Sequence, residues 1–202
     1  MVITEIQQLG KGKVKISFDA AEDLVLYNGE LQQSPLAGCK EQTEVSEGLY
    51  EQVYRGIVGK RVLKRAMHLL EKMDRTEEQL RRKLMESGYP QELAEEAIAY
   101  VKSYHYIDDD RYARTFIRLN QERKSNGRMK MDLLSRGIAQ DTIERALEEE
   151  NETEQEAIIR KLVEKKHYDP DTATPQETQK IYQFLLRRGF RSSEIMHVIK
   201  RS

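Results

Sequence analysis

Three stretches of the chain can be laid over one another without a gap: LMESGYPQELAEEAI (84–98), LLSRGIAQDTIERAL (133–147) and LLRRGFRSSEIMHVI (185–199). Their glycines, Gly88, Gly137 and Gly189, stand 49 and 52 residues apart. An apolar residue follows each: Tyr89, Ile138 and Phe190. Six residues past each glycine come Ala94, Ile143 and Ile195; nine past come Ala97, Ala146 and Val198; ten past come Ile98, Leu147 and Ile199. The pattern describes a helix that ends on a glycine able to take positive φ, an apolar residue folding back on that helix, and a second helix with its buried stripe at fixed offsets. A further helix is expected before each pair, at about 57–73, 109–123 and 153–166. The unit is therefore three helices in roughly 50 residues, repeated three times. One unit buries its stripe poorly alone, so neighbours should stack into an elongated, curved array. The expected division is 57–105, 106–151 and 152–202.

The first 35 residues follow another rule. Val14, Ile16 and Phe18 alternate with Lys13, Lys15 and Ser17, the period of a half-buried strand, and GKG at 10–12 is a turn before it. LVLY (24–27) is a second β-prone run, followed by the turn pair Asn28-Gly29. A small β-hairpin or three-stranded sheet results, too small to stand alone. Residues 36–56 then form a connector and a lead-in helix, with Pro35 and Gly38 punctuating its start. Gly56 and Gly59 are placed to bend or split the helical run that follows, and Thr76 with Gln79 makes a capping box for the next helix. The fold class is mainly α.

Composition narrows the function classes. A chain of 202 residues can bury roughly 70% of its unfolded surface and needs no metal or disulfide staple. The lone cysteine, Cys39, rules out an internal disulfide and a cysteine-cluster metal site. No apolar run approaches the ~20 residues of a membrane span. MVITEIQQLG lacks the basic start and apolar stretch of a signal peptide, so the expected location is cytoplasmic. The formal net charge of −1 conceals segments of both signs. Residues 148–174 hold four Lys/Arg against nine Asp/Glu (net −5), and residues 175–202 hold six against two (net +4). The acidic run Glu148-Glu149-Glu150-Asn151-Glu152 reads as a solvated helix junction.

The run most suggestive of catalysis is YIDDDRYART (106–115), with Asp108, Asp109 and Asp110 adjacent. Three carboxylates invite a metal or nuclease chemistry. Tyr112, Ala113, Phe116 and Ile117, however, share one face of a helix that starts here, so Asp108 or Asp109 falls at its N-cap and the rest sit in its first turn. Asp110 can pair with Arg114 one turn on. His68, His105, His167 and His197 are isolated, and no HExxH, EF-hand, GxSxG, P-loop or dinucleotide loop occurs. The expectation is no catalytic residue, no metal and no cofactor.

Cations remain. Arg81, Arg82 and Lys83; Arg128, Lys130 and Arg136; Arg187 and Arg188 all precede a repeat glycine, and Arg191 follows the third. Arg111, Arg114 and Arg118 lie three or four apart on the first helix of the middle unit, followed by Arg123 and Lys124. Recurring through stacked units, they would line one basic surface toward an acidic protein or DNA phosphate. No base-reading motif or aromatic stacking signature is evident, so sequence-specific recognition is not expected.

RTEEQLRRKLMESGY, YIDDDRYARTFIRL, NGRMKMDLLSRGI and FLLRRGF together resemble the RecX family of bacterial regulators of the RecA recombinase, over about residues 50–201. The resemblance implies three tandem three-helix repeats and no catalysis. It implies a partner, the RecA–single-stranded-DNA filament, with damping of strand exchange, ATP hydrolysis and co-protease action in DNA repair and the SOS response. The expected protein is a monomer, with single- or double-stranded DNA a further candidate partner. The alternative is a nucleic-acid-binding helical repeat protein independent of RecA. The polar connector HYDPDTATPQ (167–176) departs from the pattern and bears on how the third unit docks.

Overall fold

The computed structural model describes residues 1–150 and 155–199. The start of the helix expected at 153, and residues 151 and 152 of the acidic junction, lie outside them. The chain divides into two compact units: residues 1–73 with 80–106, and residues 74–79 with those from 107 onward.

In the first unit, strands β1 (Ile3–Gly10), β2 (Lys13–Phe18) and β3 (Leu24–Tyr27) form an antiparallel sheet in that order. Alternation puts Val14, Ile16 and Phe18 on the buried face, and Leu24 pairs with Ile16 and Leu26 with Val14. β1 is the strand that alternation did not mark. Past Ile3 its side chains are exposed or half-buried, so burial imposed no period on it. The turn expected at Asn28-Gly29 is instead the start of helix α1 (Asn28–Gln33), because Glu30 Oε2 accepts the Tyr27 amide at 2.9 Å and closes a first helical turn.

Helix α2 (Glu47–Val53) begins at Ser46, whose hydroxyl accepts the Leu49 amide. It runs through a π-helical turn at Tyr54–Gly59 into α3 (Lys60–Lys72), so Gly56 and Gly59 widen the helix rather than split it. A Cβ on Gly59 would make only an ordinary contact, 3.5 Å from Leu93 Cδ2. Two more helices follow, α4 (Glu77–Glu86) and α5 (Gln91–Ser103).

The second unit continues with α6 (Asp109–Asn120), α7 (Asn126–Leu134), α8 (Gln140–Glu150), α9 (Gln155–Glu164), α10 (Pro175–Leu186) and α11 (Ser192–Ile199). One core gathers Ala113, Ile117, Met129, Leu133, Ile143 and Ala146; another gathers Ile158, Ile159, Leu162, Ile181, Leu185, Phe190 and Ile195. The repeat offsets are visible in burial. Ala94, Ile143 and Ile195 are fully buried, while Leu147 and Val198, at the outer edge of the stripe, are only partly so.

Gly88, Gly137 and Gly189 have φ of 77°, 83° and 85°. At each, the glycine amide donates to the residue three back and the next amide to the residue five back, closing a Schellman turn. His105 and His167 make the same turn after α5 and α9, at φ of 57° and 52°.

Within the second unit two buried hydroxyls repeat one device. Thr76 is fully buried; its hydroxyl accepts the Gln79 amide as a cap and donates to the Arg136 carbonyl at 2.6 Å. Ser125, 3% exposed, does the same one group later: it accepts the Arg128 amide and donates to the Gly189 carbonyl at 2.7 Å. A Cβ on Gly137 would stand 2.3 Å from Glu78 Cβ, and one on Gly189 would stand 2.7 Å from Arg128 Cβ. A Cβ on Gly88 would meet nothing within 4 Å. Two of the glycines thus serve both the turn and a close approach.

Candidate partner-binding surface

The three aspartates separate into three roles. Asp108 is the N-cap of α6, its carboxylate accepting the Arg111 amide at 2.9 Å. Asp109 stands in the first turn of α6 and serves another helix: Oδ1 accepts the Glu77 amide, at the start of α4, at 2.9 Å. Its expected role as a cap of α6 is thereby corrected. Asp110 pairs with Arg114 one turn on and lies 3.5 Å from Arg145 of α8. Among the described residues, no group of three His, Cys, Asp or Glu side chains converges as a metal site would require.

The candidate cations are distributed unevenly between internal pairs and solvent. Arg81 makes a bidentate pair with Glu95, at 2.6 and 3.1 Å, joining α4 to α5. Arg114 reaches Glu149 at 3.1 Å as well as Asp110, and Arg118 grips Glu150 with two hydrogen bonds of 2.9 and 2.7 Å. The Arg118 guanidinium holds the Glu150 carboxyl below the usual carboxylate range. The arginine row of α6 is thus tied to the acidic end of α8. Lys124 and Arg128 share Asp132, at 2.8 and 3.1 Å. The Arg136 guanidinium lies 4.6 Å from the Phe116 ring centre and donates to the Tyr112 hydroxyl. Arg188 stacks 3.6 Å from the centre of Phe184, and its burial there lowers its pKa. Arg82 and Arg111 are exposed on their helices. Arg187 and Arg191 are exposed, and neither has a side-chain ion pair among the described residues. The arginines named as candidates for one basic surface therefore stand in unlike surroundings. Acids supplied by the neighbouring helix, invisible to a reading of one helix at a time, take up Arg81, Arg114 and Arg118.

Three exposed tyrosines lie together at the end of α5. Tyr100, Tyr104 and Tyr106 are 46%, 59% and 48% exposed, with centroids 4.9 Å apart for the first pair and 6.4 Å for the second. The Schellman turn at His105 brings Tyr106 back beside Tyr104. The signal in the sequence was YVKSYHY at 100–106, in which the four-residue spacing puts Tyr100 and Tyr104 on one helix face.

Comparison with known proteins places these features. Models of the first, second and third three-helix domains of RecX match residues 63–100, 108–147 and 153–199. The regulatory protein RecX of Caldanaerobacter subterraneus subsp. tengcongensis is 32% identical over 162 residues, covering 79% of this chain and 80% of that one. That of Salmonella paratyphi B is 31% identical over 150 residues, covering 68% and 89%. A crystal structure of regulatory protein RecX superposes with a TM-score of 0.62 at 25% identity, covering 98% of both chains. The structure of RecX from Lactobacillus salivarius has a TM-score of 0.59 at 23% identity, over 71% of this chain and 96% of that one, and speaks to the fold alone.

Proposed function

Because the chain belongs to the RecX family of regulatory proteins, we propose that it binds the RecA–single-stranded-DNA filament and damps strand exchange, ATP hydrolysis and co-protease action, with no chemistry of its own. The observation that carries this reading is the repeat itself, each copy closed by a glycine turn at Gly88, Gly137 and Gly189. Arg136 and Arg188 stand at equivalent places, each one residue before its turn glycine, as a regularly repeating partner requires. In this reading Arg187 and Arg191 make the first electrostatic contacts, and Arg82 and Arg111 lie exposed on their helices. Arg81, Arg114, Arg118, Lys124 and Arg128 contribute after exchanging an internal acid for one on the partner. The protein works as a cytoplasmic monomer in DNA repair and the SOS response; no helix among the described residues is long and apolar enough to cross a membrane.

A second reading, binding of nucleic acid without RecA, draws support from the exposed cluster of Tyr100, Tyr104 and Tyr106, since base–aromatic stacking is worth about 1–3 kcal/mol per base. Co-sedimentation with RecA filaments, beside gel shifts on bare DNA, separates the two. The RecA reading expects the chain in the filament pellet and no dependence of that on Tyr104→Ala. Recovery only with bare DNA, lost on Tyr104→Ala, would leave the second reading standing and remove the first.

A further inference from the structure

A cavity of about 480 Å³ lies in the second unit between the α9–α10 connection and one face of α10. That is within the size range of small-ligand sites. Three cations line it: Lys166, Lys180 and Arg187. Lys180 stands on α10 and Arg187 is the C-cap of that helix, seven residues or two turns further on, with Phe184 between them. None of the three has an ion pair or a hydrogen-bonded acid among the described residues; Lys166 has only the Phe184 ring, 5.1 Å from its nitrogen.

Two carboxylates line the same cavity, and both are turned into the backbone. Asp169 accepts the Asp171 amide and the Thr172 hydroxyl, each at 3.0 Å. Glu177 accepts the Thr174 amide and hydroxyl, each at 2.8 Å, as the reciprocal half of the α10 capping box. These bonds, with Lys180 nearby, hold the Glu177 carboxyl below its ordinary range. The acids therefore shape the connection while the cations stay available. The contrast with α6 is direct: there Arg114 and Arg118 found acids on the neighbouring helix, and here no ion pair forms with the three cations among the described residues.

We infer that this cavity binds a phosphate group, its oxygens held by Lys180 and Arg187 with Lys166 at the rim. An unesterified phosphate oxygen accepts several charge-assisted hydrogen bonds at once, and arginine presents a planar fork matched to it. The formal balance of three cations against two carboxylates, one net positive charge, suits the single charge of a backbone phosphodiester. The same chemistry is offered by free phosphate or pyrophosphate, and the two sources differ in how affinity depends on chain length. The inference goes beyond the RecA reading and does not rest on it.

The test is calorimetric titration of the full chain with pyrophosphate, with a single-stranded oligothymidylate and with an oligoglutamate peptide. Lys180→Ala/Arg187→Ala is compared with wild type, and Lys15→Ala, paired with Asp23 in the sheet, is the charge control. The double variant should bind pyrophosphate and oligothymidylate roughly tenfold or more weakly, the worth of one charge-assisted hydrogen bond, while the control keeps wild-type affinity. For the oligonucleotide, the slope of log affinity on log salt should shrink by roughly 0.7 for each phosphate that is no longer neutralised. Tighter binding of oligothymidylate than of pyrophosphate identifies the source as a polynucleotide backbone; the reverse identifies free phosphate. In wild type, pyrophosphate should shift the NMR signals of Thr172 and Phe184, a readout that needs no variant to fold. Binding of the peptide alone, binding unaffected by the double variant, or unmoved Thr172 and Phe184 signals would each overturn the proposal. Because none of these readouts involves RecA, failure here leaves the regulatory reading intact, and the converse holds.

Discussion

Asp108, Asp109 and Asp110 carry the same functional group at consecutive positions and do three different things. What differs is the direction each takes on leaving the backbone at the start of α6. Asp108, still extended at φ −152°, folds its carboxylate over the first amides of its own helix. Asp109, one residue inside, points away to the start of α4, and Asp110 lies along the helix toward Arg114. Asp108→Ala should therefore destabilise by about 1 kcal/mol, the usual worth of an N-cap. Chemical denaturation measures it, and full stability of that variant would show that the cap contributes nothing. Tyr50 and Tyr54 make a second case. Burial pushes the Tyr50 phenol up to about 12 from an ordinary 10.0, with Glu22 adding to the effect, and raises Tyr54 as well. Unfolded, both would lose protons above pH 10; folded, they hold them. The stability they supply is thus complete below pH 10 and drains away as the pH climbs toward 12. A phenolate absorbance titration of the folded chain should show late-titrating tyrosines. A single transition of all ten near pH 10 would contradict it.

At the scale of elements, the turn glycines are not equivalent although the sequence pattern makes them look so. Gly88 needs only its positive φ, so Gly88→Ala should cost roughly 1–2 kcal/mol. Gly137→Ala adds a collision with Glu78 and should cost roughly 2–4 kcal/mol, overpacking contributing the difference. Denaturation midpoints rank them; equal losses would mean that the close approach at Gly137 relaxes without penalty. Here the reach of the sequence is clear. Period and capping chemistry are local, so the helices of the repeat, β2, β3 and the Thr76 cap were legible, while α1 was read as a turn. What a side chain meets from another helix is not local. The second bond of Thr76 to Arg136, the service of Asp109 to α4, and the pairing of Arg118 with Glu150 all join residues at least 32 apart in sequence. No spacing rule reports such pairs. β1 escaped for another reason: past Ile3 it has no buried residue to impose a pattern.

At the scale of the whole molecule, the central claim is that a helical repeat of the RecX family acts on RecA by binding its filament. Its clearest signal is a change in the filament's own chemistry, because the proposed role assigns the regulator none. The deciding measurement is a titration of RecA's single-stranded-DNA-dependent ATPase with the purified chain. A fall in ATP hydrolysis that saturates at or below one chain per RecA is the expected result. An ATPase unchanged through stoichiometric amounts, with the chain absent from the sedimented filament, would contradict the account.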